Sequence, residues 1–368
     1  MAEDKEFAGI AKNPIDVLAE KVGSEWHNLA KARAFTQKYR LELREKLAGL
    51  DTEDTSVVVF GSLARDEATS KSDVDWTLLV DGMADPQHLN VAHEISGRLA
   101  KIQAKPPGRE GTFGNLAFSH EILHWIGGED DSNANTTRRM LLLLESQPVG
   151  RAEAWNRVLN NVLSRYLTED RGLWEKSKDR GVPLFLLNDI ARYWRIVVVD
   201  FAYKQRTRAN RGYALRSIKL GLSRKLIYAS GLLACFSCHF DFPDEHWGTL
   251  STSRNPQLLI EHLRAIFRKT PLEVLATMLV RYDSLLEPVK RLFDAYDLFV
   301  GLMAEEGPVL DGKSPREHLE ELEVANLETD PVYGKAREIR REFGRALAEV
   351  FLDPKSELYN ATIRYGVF

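Results

Sequence analysis

The sequence predicts an α+β chain: a small sheet-bearing domain followed by a larger, all-helical (all-α) domain. Three observations carry that reading. The chain has 368 residues, more than the roughly 250–300 at which a single core stops growing, so two domains are expected. Strand signals are concentrated before Gly128 and nearly vanish beyond residue 170. Hydrophobic residues make up 44% and charged residues 28%, an ordinary globular balance that excludes wholesale disorder.

Each element follows in order. From Trp26 to Leu50 the apolar residues Leu29, Ala32, Phe35, Tyr39, Leu43 and Leu47 recur at three- and four-residue intervals, a helical period that stops at Gly49. The run SVVVFGS, from Ser56 to Ser62, is β-branched and aromatic up to Gly61 and predicts a buried strand. A polar loop leads to a second strand, DVDWTLLVDG, from Asp73. Pro86 opens a helix with Leu89, Ala92, Ile95 and Leu99 on one face. AKPPGREGTFGN reads as a loop by its Gly and Pro content, and LAFSHEILHWIGG, from Leu116, as a third strand. After the polar EDDSNAN, the segments TTRRMLLLLES and AEAWNRVLNNVLSRYL read as helices. Beyond residue 170 five long segments read as helices, beginning at Pro183, Ala214, Pro256, Pro271 and Val332.

Composition narrows the function. Fifty Lys plus Arg against 54 Asp plus Glu leaves a net charge of -4, which excludes a globally basic nucleic-acid coat but allows a local basic groove. No apolar run approaches the ~20 residues of a membrane span. The N-terminal stretch lacks a basic segment followed by an apolar one, so no secretory signal is expected. Two cysteines cannot build a disulfide framework. A soluble cytoplasmic protein is the expectation.

The chemistry is concentrated in VVVFGSLARDEATSKSDVDWTLLV, Val57 to Val80. Gly61-Ser62 ends one strand, and Asp73-x-Asp75 opens the next. Two residues apart on a strand, both carboxylates project from one side. Carboxylates that close repel, and burying them unpaired is costly. A bound divalent cation resolves the conflict, and oxygen-only ligands suit Mg²⁺ or Mn²⁺ with nucleotide phosphate completing the shell. Gly61 lets the backbone approach phosphate closely, and Ser62 offers its hydroxyl and N–H.

This segment resembles the signature of the DNA polymerase β-like nucleotidyltransferase superfamily: hydrophobic strand, Gly-Ser, spacer, Asp-x-Asp, hydrophobic strand. The stretch IGGEDDSNANTTRRMLLLLESQPVG, from Ile126, is similar to uncharacterised bacterial nucleotidyltransferases related to the nitrogen-regulatory uridylyltransferase, although that enzyme has Gly-Gly where this chain has Gly61-Ser62. The resemblance implies a small mixed sheet. It implies Asp73 and Asp75 as catalytic metal ligands for Mg²⁺ or Mn²⁺, with Gly61 and Ser62 on the triphosphate of an NTP substrate. It also implies a third carboxylate from a later strand, for which Glu121 is the candidate, with Asp130 and Asp131 as competitors. Arg65, Arg138, Lys219 and Lys225 are further candidate nucleotide contacts. The implied organisation is an N-terminal helical segment, 1–50, packing on the catalytic domain, a nucleotidyltransferase domain, 51–168, and a helical domain, 169–368. The implied reaction moves an NMP from an NTP to a hydroxyl acceptor and releases pyrophosphate. The acceptor stays open between a nucleotide, an RNA end and a protein.

Other signals compete. His120-Glu121-x-x-His124 spells the pattern of an HExxH-type zinc metalloprotease, which needs both histidines on one helix face. The flanks favour a strand, where residues four apart lie ~13 Å from each other, beyond shared ligation. A non-catalytic nucleotide- or partner-binding module on the same fold is the other alternative. Cys235-x-x-Cys238-His239 imitates a haem-attachment pattern, and with His246 part of a zinc set, yet the thiols end an apolar helix and read as core residues. Finally, residues 204–225 contain no acid. That segment reads either as a solvated basic face or as the wall of a cleft for triphosphate, nucleotide or RNA.

Overall fold

The computed structural model describes residues 12–107, 112–174, 181–242, 247, 255–305 and 312–366. The first eleven residues, residues 108–111 of the Gly/Pro-rich loop, and His246 lie outside them. The chain begins with α1 (Pro14–Val22) and α2 (His27–Lys46), then β1 (Thr55–Phe60), β2 (Trp76–Val80), α3 (Gln87–Lys101), β3 (Asn115–Phe118), α4 (Ser119–His124), α5 (Asn133–Leu144), β4 (Ser146–Pro148) and α6 (Glu153–Glu169). The strands form one mixed sheet in the order β3-β2-β1-β4. β1 pairs antiparallel with β2 and β4, and β2 pairs parallel with β3.

Every residue of β1 and β2 is buried, because helices cover both faces and leave no solvent side to demand alternation. On one face Val57, Val59, Trp76 and Leu78 pack against Leu43 of α2, Leu47 just after it, and Ala92, Ile95 and Leu99 of α3. On the other, Val58, Phe60 and Leu79 join Leu141 of α5 and Val158 and Val162 of α6 in a core that continues into the helical half. Asp75 has the same parity along the chain as Thr77 and Leu79, so its side belongs to this second face.

The helical half comprises α7 (Arg171–Trp174), α8 (Leu184–Thr207), α9 (Tyr213–Lys219), a π-helical turn (Leu220–Arg224), α10 (Lys225–Phe240), α11 (Gln257–Phe267), α12 (Pro271–Leu279), α13 (Leu286–Ala304), α14 (Pro315–Glu321) and α15 (Pro331–Leu352) among the described residues. The segment expected as one helix from Pro271 is two, separated by Val280–Leu285. α2 ties the halves together. Trp26 stacks on Phe293 at 4.8 Å, and its Nε1 donates to Asp294 at 2.8 Å. Asp297 of α13 accepts from the Leu29 N–H at 2.9 Å and from Asn28 Nδ2 at 2.8 Å. It thereby supplies the cap that α2 lacks from its own N-cap residue, Trp26. Among the described residues no helix is long and apolar enough to cross a membrane.

Two sequence expectations need correction. The third strand stops at Phe118, and SHEILH is helical. Ile122 and Ile126, four apart, both face the core and Glu121 sits in the favourable first turn. The fourth strand, Ser146–Pro148, lies where the sequence reads as helix end and loop. It is a short edge strand carrying a proline, tolerated only because it sits at the edge.

Candidate active site

β1 ends at Phe60, and Gly61 turns the chain with φ +65°, a region a β-carbon disfavours. A β-carbon on Gly61 would also stand 3.2 Å from Asp75 Oδ2. Ser62 follows in a single 3₁₀ turn, Gly61–Leu63. The ladder runs past the formal start of β2: the Phe60 N–H donates to the Asp75 carbonyl at 2.9 Å, and Val74 N–H to the Lys105 carbonyl at 2.9 Å. Backbone bonds on both sides therefore hold Asp73-x-Asp75 against Gly61.

The two acids have different surroundings. Asp73 Oδ1 lies 2.9 Å from Lys105 Nζ and 3.5 Å from Arg316 Nη2. The carboxylate of Asp75 has no hydrogen bond or ion pair among the described residues. Burial and then the neighbouring Asp73 charge raise its pKa to about 6, with Glu145 adding to the rise and Arg224 and Lys219 opposing it. An acid half-buried beside another acid, with cations close but not bonded, is a site prepared for a further positive charge.

Lys219 and Arg224 bracket the π-helical turn. Its i→i+5 bonding widens the helix and brings residues five apart back to one face. Both cations consequently bear on Asp75. Burial, with the like charges of Arg316 and Arg224, lowers the Lys219 pKa to about 8. Lys225 departs from this cluster. The same wide turn rotates it toward α15, where burial and Arg340 lower its pKa and Gly344 is its neighbour.

A buried network backs the site. Arg65 Nε donates to Glu67 Oε2 at 3.0 Å, and its Nη1 donates to Glu145 Oε2. Glu145 Oε1 accepts from Arg224 Nη1 at 2.9 Å, and Glu67 Oε1 from the Tyr296 hydroxyl at 2.8 Å. Burial alone would lower the Arg65 pKa, but the Glu67 and Glu145 charges hold it well above its ordinary value. Arg65 is thus committed to two carboxylates instead of facing open space. Glu145 immediately precedes β4, whose Ser146 pairs with Phe60, so it stands beside Gly61. Sequence reasoning missed it. Its signal was a glutamate ending the apolar run LLLL, which reads as a helix stop.

Glu121 is not on a strand. β3 runs parallel to β2 with Phe118 opposite Val80, so α4 begins at the end of β2 remote from Asp75. Glu121 is half-exposed, its nearest cation Arg138 at 3.8 Å. Arg138 lines a narrow cleft with Phe60, Thr77 and Ile122, and Thr77 is the next inward position along the chain from Asp75. Asp131 pairs with buried Arg139 at 2.9 Å, as does Asp189 at 2.6 Å; this network joins α5 to α8.

The helical α4 also removes the argument that separated His120 from His124. Their rings lie 4.7 Å apart on one helix face. Among the described residues, however, no group of three or more His, Cys, Asp or Glu is arranged to hold a metal ion, so this pair has no third ligand there. Cys235 and Cys238 are free and buried, and burial pushes both thiols up.

Residues 37–107 match the family model of a nucleotidyltransferase domain. The match contains Gly61, Ser62, Asp73 and Asp75, while Glu145, Lys219, Arg224 and Arg316 lie beyond it. It supports nucleotidyl transfer as the general kind of reaction, with an NTP as substrate. No curated protein matches the chain.

For the nucleotidyltransferase segment, the geometry at Gly61 makes one expectation specific. Gly61→Ala adds backbone strain of roughly 1–2 kcal/mol and displaces Asp75. Transfer should fall by about tenfold or more, with the melting temperature lowered only slightly. An alanine enzyme with unchanged kcat/KM would refute the close approach.

Proposed function

We propose that the chain is a metal-dependent nucleotidyltransferase that moves an NMP from an NTP to a hydroxyl acceptor and releases pyrophosphate. One observation carries the proposal: the half-buried Asp75 carboxylate, beside Asp73 within the matched segment, has no hydrogen bond or ion pair among the described residues. The donor set fits a hard divalent cation, because Asp73 and Asp75 offer oxygen only. Bound Mg²⁺ or Mn²⁺ at Asp73 and Asp75 supplies charge neutralisation at the α-phosphate and the leaving pyrophosphate.

The chain's own groups do the rest. Gly61 and Ser62 present backbone to the phosphates at the end of β1. Lys219, Arg224 and Arg316 provide positive charge across from the acids, where the triphosphate oxygens need it. The attacking hydroxyl oxygen bonds to the α-phosphorus, its proton passes to a carboxylate oxygen of the acid pair, and the bond to the β-phosphate oxygen breaks. In this reading residues 51–168 are the catalytic unit, 1–50 buttress it, and 169–368 bring three cations to the phosphates. Glu121 and Lys225 have no part in it, and Arg65 acts through Glu145.

The test is binding and transfer together. Equilibrium dialysis with each α-³²P-labelled NTP and Mg²⁺ should show saturable binding, weakened about a hundredfold in Asp73→Ala/Asp75→Ala, with label transferred to an acceptor only by the native protein. Nucleotide bound equally by both proteins, or by neither, sinks the proposal. Stoichiometric zinc held through His124 without nucleotide binding would favour the protease instead.

A further inference from the structure

We infer that the acceptor is the 3′ end of a single-stranded nucleic acid, whose phosphates run through an arginine-lined groove at the α8–α9 corner. The inference rests on the nucleotidyltransferase reading for its chemistry, though the groove can be tested without it.

The groove has a volume of about 630 Å³ and is lined by Arg208, Arg211, Leu215, Arg216 and Glu320, among others. It is made by an abrupt corner. Ala209, Asn210 and Gly212 all have positive φ, at +45°, +64° and +65°. Asparagine and glycine tolerate this region, but alanine is strained there, which makes the corner a costly way to join two helices. What the corner achieves is to bring both Arg208 and Arg211 to one concavity. The surrounding chain, residues 204–225, holds eight Lys or Arg and no Asp or Glu. A solvated helix face in a chain of net charge -4 would be expected to mix signs. A polyanion explains why the segment itself holds no acid, Glu320 of α14 being the one acid that lines the groove among the described residues.

The groove leads to the reaction centre. Arg216 and Lys219 are three apart on α9, and so share a face, and Lys219 belongs to the Asp75 cluster. Across α14, a second cleft of about 540 Å³ also reaches Glu320 and is lined by Phe35, Tyr39, Lys105 and Arg316. Lys105 and Arg316 are the two cations on Asp73. Two of the three acids in this cleft are matched: Glu317 pairs with Lys71 at 2.9 Å and Glu42 with Lys38 at 4.0 Å, while Glu320 has no ion pair among the described residues. Phe35 and Tyr39 lie 6.0 Å apart, and the Phe35 ring is 39% exposed. An exposed ring, Phe35, backed by half-buried Tyr39 and set beside a cationic track is the kind of element that holds single strands: stacking for bases, charge for phosphates. A terminal nucleotide on Phe35 and Tyr39 brings its 3′-hydroxyl toward Asp73, with upstream phosphates on Arg216, Arg211 and Arg208. The 3′-oxygen then bonds to the α-phosphorus, the bond to the β-phosphate oxygen breaks, pyrophosphate leaves, and the hydroxyl proton goes to the acid pair.

The experiment measures anisotropy of a fluorescein-labelled single-stranded RNA of about twelve nucleotides on the full chain across a salt series, with the matching DNA as a second arm. Arg208→Glu/Arg211→Glu should weaken binding at least tenfold and flatten the log–log salt slope by about 1.4, two contacts at ~0.7 each. Phe35→Ala should weaken binding about fivefold or more and leave the slope unchanged. NTP affinity, measured separately by dialysis, and the melting temperature should stay at native values in the charge-reversed protein. Oligonucleotide bound equally by the native and charge-reversed proteins, or by neither, overturns the inference; if NTP still binds and label passes to a protein instead, only the acceptor is wrong. Loss of RNA binding in the variants with no NTP bound by any of them leaves the groove standing and removes the reaction.

Discussion

Replacing Asp75 by asparagine is expected to abolish transfer while making the metal-free protein more resistant to heat. The two effects have one cause. Asp75 is half-buried beside Asp73 and Glu145, and its pKa is raised to about 6. The folded chain therefore binds a proton there more tightly than the unfolded chain. Stability from this group is fully present below the unfolded pKa near 4 and is lost as pH rises through the folded value. At neutral pH the ionised acid weakens the fold, by on the order of 1–3 kcal/mol for a shift of this size. Asparagine is isosteric and uncharged, so the metal-free protein should melt roughly 2–6 °C higher at pH 7.5, at about 2 °C per kcal/mol for a large domain. The advantage should shrink toward pH 5, where the native acid is itself protonated. Transfer should fall by about 10³-fold or more, because a neutral amide cannot balance the cation that the reaction needs. Added Mg²⁺ should raise the melting temperature of the native protein and leave the variant's unmoved, since a ligand stabilises only the state that binds it. A variant that melts at or below the native temperature at pH 7.5 would show that Asp75 is not held in electrostatic conflict.

How much of this could be read in the sequence depended on how far each feature lies from a local pattern. β1, β2 and the Asp-x-Asp between them announce themselves, because a fully buried strand is a continuous apolar run and the acids interrupt it abruptly. The two-layer burial that makes the run apolar is also what leaves Asp75 only partly in solvent. α4 was misread because HEILH satisfies a short strand and a single helical turn equally, and only Ile122 and Ile126 meeting the core decides. Glu145 was invisible for a different reason. Its function comes from β4 pairing with β1, a contact some 85 residues apart in the chain (Phe60 with Ser146), and a three-residue strand containing proline has no periodicity to detect. Lys219 and Lys225, both expected at the nucleotide, are sent to different surroundings by one feature, a π-helical turn that no residue pattern in LGLSR declares. Arg316 was not proposed at all. It sits on a seven-residue helix fixed by the Ser314–Glu317 capping box, and its nearness to Asp73 is a purely tertiary fact.

Glu145→Gln tests whether the long-range network is what joins the sheet to the helical half. Glu145 is buried, accepts from Arg65 on one oxygen and from Arg224 on the other, and is the one acid that both guanidiniums share. Removing its charge leaves buried Arg65 with Glu67 as its remaining ion-pair partner and partly exposed Arg224 with the nearby charge of Asp75, and one partner removed from a buried pair costs about 3–5 kcal/mol. The amide can keep one hydrogen bond but cannot accept from both sides, because its nitrogen is a donor. The melting temperature should drop by roughly 6–15 °C. A second readout follows the Asp75 proton. Glu145 raises the Asp75 pKa while Arg224 lowers it, so without Glu145 the Asp75 proton should leave at lower pH. The acid limb of the transfer rate against pH should therefore move downward in the surviving enzyme. Water admitted by a loosened core would move the limb in the same direction, because burial is the first cause of the raised Asp75 pKa. The pairwise coupling of Arg65 and Glu145 is what separates the two. In a double-mutant cycle, Arg65→Gln combined with Glu145→Gln should cost less than the sum of the two changes by at least about 1 kcal/mol, since each single change strands a charge that the pair removes together. Strict additivity would mean that Arg65 and Glu145 do not share the load, and that the sheet is held to α10 and α13 by apolar packing instead.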